Sequence, residues 1–227
     1  MRAIVVADGD VRNGIAVRRA LDEAAGSPPA LVVAADGGAI KAALLGLKPA
    51  IVVGDGDSLA ADRTEELRRA GVEVIVHPAQ KDESDTELAV REAIARGADS
   101  VVIVGAFGGD RLEHSVANLL LLTLPELADR DVALVDGAST VRAIGGSGRA
   151  RLSISGTIGD YVSLFALSER VEGLTTSGLR YPLSDDVLVQ GPTRGLSNEL
   201  SADHADVATR TGRLAVIHTQ RNRASDA

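Results

Sequence analysis

Two kinds of hydrophobic pattern alternate along the first 140 residues of the chain. Short apolar runs rich in valine show no alternation with polar residues, which is typical of parallel strands covered on both faces. Between them lie longer stretches with helical spacing, such as Thr86–Arg96. The strict alternation of strands and helices along the chain predicts an α/β fold with a doubly wound parallel sheet and helices on both faces. The predicted strands are Ala3–Ala7, Leu31–Ala34, Ile51–Val53, Val74–Val76, Val101–Val104 and Val132–Val135.

After about residue 140 the helical spacing stops, and short β-type runs separated by glycines follow. Turn signals at this density predict an antiparallel sandwich or barrel. Gly145-Gly146-Ser147-Gly148 lies near the change and is either a linker or a hairpin turn. We therefore predict two domains, residues 1–140 and residues 141–227. The strands predicted in the second are Arg151–Ser155, Tyr161–Leu167, Val187–Gln190, Val207–Arg210 and Leu214–Thr219.

Composition and charge exclude several classes of function. The chain has no cysteine, which excludes disulfides, thiolate catalysis and zinc fingers. Its aromatic residues are two phenylalanines and two tyrosines, too few for the stacking platforms that bind single-stranded nucleic acid. A net charge of -8 argues against nucleic-acid or anionic-membrane binding, and no apolar run approaches the roughly 20 residues of a membrane span. The first residues turn acidic too early for a secretory signal, so we expect a cytoplasmic protein.

Polar, glycine-rich segments follow four of the predicted strands. Because the carboxyl ends of parallel strands meet at one edge of a sheet, we expect these segments to converge there on a ligand. The four are Asp36-Gly37-Gly38, Gly54-Asp55-Gly56-Asp57-Ser58, Lys81-Asp82-Glu83-Ser84-Asp85 and Gly105-Ala106-Phe107-Gly108-Gly109-Asp110-Arg111.

The acidic residues of these segments are typical of a magnesium site. Asp55 and Asp57 offer paired hard oxygens beside flexible glycines, which suit Mg²⁺ and leave room for phosphate oxygens. The alternative is an ordinary Asp/Gly turn in which Ser58 caps the next helix. A second acidic pair, Asp82 and Asp85, favours the metal. Lys81 beside it is either a solvated charge or a point cation for phosphate.

The glycine loop 105–109 is suited to hold phosphates through backbone amides, although it is neither a Walker A loop nor a dinucleotide-binding fingerprint. Arg111 and His114 are three residues apart, on one side of the following helix if the helix has begun there. They would hold phosphate or polarise a leaving group. The alternative is an exposed arginine and a histidine that caps the helix.

Three of these segments resemble, in order, successive signatures of the thiamine pyrophosphokinase family. They are Asp36-Gly37-Gly38-Ala39, Gly54-Asp55-Gly56-Asp57-Ser58 and Lys81-Asp82-Glu83-Ser84-Asp85. Arg111-Leu112-Glu113-His114 with Ala117-Asn118 is similar to the family's next motif. Gly178-Leu179-Arg180-Tyr181-Pro182-Leu183 and Gly195-Leu196-Ser197-Asn198-Glu199 look like its C-terminal signatures. The resemblance implies an N-terminal α/β ATP-binding domain, a C-terminal β-sandwich that binds thiamine, and a homodimer. It also implies the reaction, in which ATP and thiamine give AMP and thiamine diphosphate with Mg²⁺ present.

The resemblance also implies roles for individual residues. Those expected to hold Mg²⁺ and carry the catalysis are Asp55, Asp57, Asp82 and Asp85, and one of these carboxylates would accept the hydroxyl proton. The positions expected to contact the nucleotide are Asp36, Gly37, Gly38, Lys81, Arg111 and His114. The residues expected near thiamine are Ser197, Asn198 and Glu199, with Tyr181 stacked on its cationic rings across a dimer interface.

The sequence departs from the family pattern at three places. Gly56 stands where the family often has a bulky residue, and Ser84 is a conservative choice before the last aspartate. Glu113 replaces a common aspartate before His114, and Asp110 is one extra residue before Arg111. Two alternatives stay open, namely a related diphosphokinase that acts on a pterin alcohol and a nucleotide-binding regulator without catalytic activity.

Overall fold

A parallel sheet flanked by helices forms the first part of the protein. The computed structural model describes residues 1–55 and 61–221. The strands of this sheet are β1 (Arg2–Val6), β2 (Leu31–Ala35), β3 (Ile51–Gly54), β4 (Glu73–Val76) and β5 (Ser100–Val104). They pair in parallel in the order β5-β1-β2-β3-β4, so β1 has a neighbour on each side. A sixth strand, β6 (Asp131–Asp136), follows later in the chain.

Helices cover this sheet because each has an apolar side that must leave water. They are α1 (Ile15–Ala24), α2 (Gly38–Leu44), α3 (Ala61–Arg69), α4 (Asp85–Ala95) and α5 (Leu112–Leu121), with a short 3₁₀ helix at Pro125–Leu127. Val17 of α1 and Ala42 of α2 share one buried cluster with Ile4 of β1. Leu67 of α3 packs with Val52 of β3, and α4 packs against β1, β2 and β3. No helix in the described ranges is long and apolar enough to cross a membrane.

The second part is an antiparallel β-sandwich. Its strands are β7 (Ser139–Gly145), β8 (Arg151–Ser155), β9 (Tyr161–Ala166), β10 (Arg170–Ser177), β11 (Asp186–Val189), β12 (Asn198–Glu199), β13 (His204–Ala208) and β14 (Arg213–Thr219). One sheet has the order β12-β9-β14-β7 and the other β11-β10-β13-β8. A buried apolar cluster holds them together, with Val162 and Val216 from the first sheet and Val171 and Val207 from the second. The predicted fold class, an α/β sheet followed by a β-sandwich, is confirmed.

The chain divides into two compact units. The first contains Met1–Leu121 and Leu134–Gly137, and the second contains Leu122–Ala133 and the chain from Ala138 onward. The glycine run near the predicted change is a turn between β7 and β8, in which Gly145 N donates to Arg149 O at 2.7 Å. It therefore lies inside the second unit.

Candidate active site

Two loops at the carboxyl edge of the parallel sheet are joined by backbone hydrogen bonds. Beyond the ends of β1 and β5, Gly9 N donates to Gly105 O at 2.9 Å and Asp10 N donates to Phe107 O at 2.8 Å. A Cβ at Gly9 would lie 2.5 Å from both carbonyl oxygens, so this close approach requires glycine. The pairing gives the glycine loop 105–109 a fixed backbone on one side.

Helix α5 fixes the same glycine loop on the other side. Buried Asn118 donates from Nδ2 to Ala106 O at 2.8 Å, and Ser115 Oγ accepts from Gly108 N at 3.1 Å. Gly108 and Gly109 have φ of 78° and 77°, in the left-handed region where glycine is favoured. The loop is therefore held in one conformation before any ligand arrives.

Asp36 directly follows β2 and has an unusual backbone conformation. Its φ is 43°, its N donates to Val53 O at 2.8 Å, and the residue is only 5% exposed. A Cβ at Gly54 would lie 2.8 Å from Asp36 Cβ, so glycine at the end of β3 makes room for this side chain. The backbone thus directs the Asp36 carboxylate toward the next residue of the β3 loop, Asp55.

Among the residues that the structure describes, three carboxylates meet at this edge of the sheet. One oxygen from each of Asp36, Asp55 and Asp85 lies within 4.8 Å of the others. Asp85 is the first residue of α4, which is capped by Ser84 Oγ accepting from Glu87 N at 3.1 Å. Three negative charges this close repel one another unless a cation lies among them, and their hard oxygens are the ligands that Mg²⁺ prefers. The donor set therefore fits a magnesium ion.

Lys81 supplies a positive charge to this cluster. Its Nζ lies 3.0 Å from Asp85 Oδ1 and 3.7 Å from Asp55 Oδ2, and its side chain is 12% exposed. Burial lowers the pKa of Lys81, but the hydrogen bonds and charges of Asp85 and Asp55 outweigh it and raise the pKa above its ordinary value. Lys81 is thus a charged ammonium at neutral pH.

A cavity of about 640 Å³ opens over these groups. Its lining includes the three aspartates, the glycine loop, and Arg111 and His114 at the start of α5. Both Arg111 and His114 are exposed, and Arg111 Nε donates to Glu113 Oε1 at 2.7 Å. The structure therefore brings most of the acidic and basic residues predicted from sequence to one pocket, whose volume suits a small ligand.

Other predicted site residues lie elsewhere. Asp82 is exposed and is not part of the described lining, and Asp57 lies outside the described residues. Gly37 and Gly38 begin α2, where a Cβ at Gly38 would lie 2.1 Å from Val6 O and one at Gly37 2.5 Å from an Asp8 oxygen. Close packing of α2 against β1 and the loop after β1 therefore requires glycine at both positions, independently of any contact with a nucleotide.

The cavity lining also contains charged residues that were not among the predicted site residues, Asp8, Asp10 and Lys41 among them. Asp8 and Asp10 follow β1, and Lys41 lies on α2. Partial burial raises the pKa of Asp8, while the charge of Lys41 lowers it to a lesser extent. The signal for the two aspartates was available, because Asp8-Gly9-Asp10 has the same acidic, glycine-containing composition after a strand as the segments that were selected.

The residues predicted near thiamine form one cluster in the second unit. Tyr181 is 62% exposed, and the Arg180 guanidinium lies 5.5 Å from its ring centroid. Asn198 hydrogen-bonds the Tyr181 backbone, and Glu199 Oε2 pairs with Arg180 at 3.3 Å. Ser197 has φ of 58°, and its N donates to Ser163 Oγ at 3.0 Å.

Comparison with known proteins identifies the family. Residues 27–134 match the family model described as thiamin pyrophosphokinase, catalytic domain, and residues 151–214 match the thiamin pyrophosphokinase, vitamin B1 binding domain. The chain belongs to the thiamine pyrophosphokinase family. Members are ATP-dependent diphosphotransferases, and this protein is therefore an enzyme of that class.

Relatives in three bacteria cover most of the chain. The thiamine pyrophosphokinase of Bacillus subtilis (strain 168) is 26% identical over 189 residues, which are 83% of this chain and 87% of the relative. The crystal structure of the Geobacillus thermodenitrificans thiamin pyrophosphokinase is 28% identical, with a TM-score of 0.79 over 98% of this chain and 99% of that one. The Enterococcus faecalis family protein is 27% identical, with a TM-score of 0.80 over 98% and 100%. The resemblance stated from the sequence is confirmed.

Proposed function

We propose that this protein transfers the diphosphate group of ATP to the hydroxyl of thiamine, giving thiamine diphosphate and AMP. The observation that carries the proposal is the cluster of Asp36, Asp55 and Asp85 beneath the cavity, inside the segment that matches the catalytic domain of the family. The match of residues 151–214 to the vitamin B1 binding domain supports thiamine, rather than a pterin alcohol, as the acceptor.

In the proposed reaction the thiamine hydroxyl oxygen attacks the β-phosphorus of ATP. The bond between that phosphorus and the oxygen bridging to the α-phosphorus breaks, and AMP leaves with the bridging oxygen. The hydroxyl proton passes to a carboxylate at the edge of the cluster. Such a transfer needs chiefly charge neutralisation and in-line positioning of the two reacting groups.

Different residues at the cavity would provide the charge neutralisation and the positioning. Asp36, Asp55 and Asp85 would hold Mg²⁺, with Asp57 and Asp82 retained from the sequence prediction as further ligands. The ion would neutralise charge on the phosphate oxygens. The fixed amides of the glycine loop and the side chains of Lys81, Arg111 and His114 would bind the phosphates at the cavity edge. The rigid loop positions the nucleotide without a loss of conformational freedom on binding.

We also propose that the enzyme is a cytoplasmic homodimer, because its co-substrate ATP is cytoplasmic and because Tyr181 is a large exposed ring. In the dimer, Tyr181 of one chain would stack on thiamine bound at the cavity of the other. Sedimentation at micromolar concentration would give the mass of two chains. A monomer that retains full activity would contradict the shared site.

The proposal is tested by AMP release from ATP and Mg²⁺ with thiamine, with a hydroxymethyl pterin, or with neither. We expect AMP only with thiamine. AMP release that follows the pterin would favour the related diphosphokinase, and ATP binding without AMP release under any condition would favour the regulator.

A further inference from the structure

The segment that carries Tyr181 is paired with the segment that carries Asn198. Leu179 and Leu200 form an antiparallel bridge, and both are almost fully buried. Arg180 N donates to Glu199 O at 2.9 Å, next to that bridge. In antiparallel pairing each step forward on one segment is a step back on the other, so Tyr181 lies opposite Asn198.

At Tyr181 the side chain of Asn198, and not its backbone, makes the hydrogen bonds to the opposite segment. The Asn198 backbone belongs to β12, where it pairs with Val162 of β9. Its side-chain Oδ1 accepts from Tyr181 N at 3.1 Å, and its Nδ2 donates to Tyr181 O at 2.7 Å. Because a backbone N–H only donates and a carbonyl only accepts, these partners dictate which side-chain atom is oxygen and which is nitrogen. Both backbone polar groups of Tyr181 are therefore fixed by one side chain.

The amide of Asn198 has little capacity left for a ligand. Its Oδ1 accepts a second hydrogen bond, from Glu199 N at 2.9 Å, which fills both lone pairs of that oxygen. One N–H of the amide group remains. A residue committed in this way is suited to hold its neighbour in place rather than to recognise the nitrogens of a pyrimidine ring.

The Tyr181 ring, in contrast, is largely exposed, with the Arg180 guanidinium 5.5 Å from its centroid. It is 62% exposed although its backbone is fixed, and Pro182 restricts the Tyr181 backbone further. An exposed aromatic ring on a rigid backbone binds a flat ligand with little loss of conformational entropy.

We propose that Asn198 is a positioning residue for thiamine, which acts by fixing the backbone of Tyr181 so that the ring is presented to the ligand. This inference rests on the proposed function, in which Tyr181 stacks on thiamine. It differs from the direct contact with thiamine that the sequence predicts for Asn198.

A double-mutant cycle tests whether Asn198 acts through Tyr181. Asn198→Ala should raise the thiamine KM about five-fold, the factor that corresponds to freeing the backbone of one residue. The ATP KM and kcat should stay unchanged. In Tyr181→Ala, which raises the thiamine KM about ten-fold, the further change Asn198→Ala should have no additional effect. Effects that multiply, or an unchanged KM in Asn198→Ala alone, would overturn the positioning role.

Ser168→Ala is the matched control, because Ser168 Oγ also makes two hydrogen bonds to backbone groups of the second unit, with Arg170 O at 2.8 Å and Arg213 N at 2.9 Å. It should lower thermal stability as Asn198→Ala does and leave the thiamine KM unchanged. A rise in the thiamine KM equal to that of Asn198→Ala would show that general loosening of the sandwich explains both, and would overturn the inference.

A readout without turnover separates this inference from the proposed function. The chain has no tryptophan, so Tyr181→Trp introduces a single fluorescent reporter at the position in question. Adding Asn198→Ala to this variant should lower the fluorescence anisotropy of the folded protein, while adding Ser168→Ala should not. Unchanged anisotropy would contradict the fixing role whatever the activity. A wild-type protein that makes no AMP from thiamine would instead contradict the proposed function.

Discussion

Replacing Asp36 with asparagine should raise stability and abolish most of the activity. Asparagine has the shape of aspartate and is itself tolerated in the left-handed region, so φ of 43° at this position costs little in Asp36→Asn. The substitution removes one of three carboxylate charges whose oxygens lie within 4.8 Å. A metal-binding role therefore predicts effects of opposite sign on folding and on turnover.

The magnitudes follow from the distances. At 4.8 Å and an effective dielectric constant of about 20, two like charges repel by about 3.5 kcal/mol. Lys81, 3.0 Å from Asp85, offsets much of this repulsion, so we expect a net gain of about 1 kcal/mol, or about 2–4 °C in melting temperature for a chain of this length. Loss of a ligand to the Mg²⁺ that would neutralise phosphate charge in the transition state should lower kcat by about 100-fold or more.

The assay is thermal unfolding without Mg²⁺, together with steady-state AMP release at saturating Mg²⁺ and ATP. Asp185→Asn is the matched control, because Asp185 also has a positive φ, of 49°, but lies exposed on the second unit in a surface pair with Arg210. It should change neither measurement appreciably. If Asp36→Asn lost stability as well as activity, Asp36 would be a structural residue, and normal activity would exclude it from the metal site.

Four further changes test other parts of the account. Asp85→Asn should lower kcat by about 100-fold, measured as AMP release, in a folded protein; near-normal turnover would exclude Asp85 as a ligand. Lys81→Met should lower the free energy of unfolding at neutral pH, measured by urea titration. Because the pKa of Lys81 is raised, this loss should persist below pH 10.5 and disappear at higher pH, where the wild-type lysine loses its charge. Tyr181→Ala should raise the thiamine KM about ten-fold while Tyr181→Phe is nearly neutral, and a structure with thiamine remote from the ring would contradict this. Burial raises the pKa of Asp160, but hydrogen bonds from two backbone amides and His218 outweigh this effect and lower the pKa. Asp160→Asn should therefore cost stability above pH 3.8 and progressively less as the pH falls below that value. An equal cost at pH 2.5 would refute the charge-based reason.

The parallel half of the fold was predictable because most of its strands are largely buried, although β4 is partly exposed. Runs of valine mark all six predicted strands there, and the observed bounds differ from the predicted ones by a residue or so at each end. In the second half, β7, β10 and β12 were missed. Strand β10 contains Gly173 at φ of 68° beside a register shift, and β12 has only two residues, so neither shows an apolar pattern.

The expectation that ligand-binding residues follow the carboxyl ends of parallel strands located most of the site, but it did not predict the role of each residue. It selected Asp36, Asp55 and Asp85 because each follows a strand or begins a helix at the same edge. The sequence assigned Asp36 to the nucleotide and grouped Asp82 with the metal, whereas in the structure Asp36, not the exposed Asp82, joins the cluster. Adjacent residues point in different directions on a loop, and only the backbone angles decide which one faces inward.

The role of Asn198 shows a second limit. Its partner Tyr181 lies 17 residues away, and the pairing depends on the register set by Leu179 and Leu200. The sequence motifs place Tyr181 and Asn198 at the same site, but they do not show that the Asn198 side chain fixes the Tyr181 backbone. Contacts of this kind follow from tertiary pairing and have no local sequence signal.

The stoichiometry of the products shows whether the protein transfers a diphosphate group directly from ATP to thiamine. Phosphorus NMR of the wild-type protein with ATP, thiamine and Mg²⁺ would identify every phosphate species as the reaction proceeds. Direct transfer of a diphosphate group predicts AMP and thiamine diphosphate in equal amounts from the first time point, with neither ADP nor thiamine monophosphate. Formation of ADP with thiamine monophosphate, or of AMP with free pyrophosphate, would contradict it.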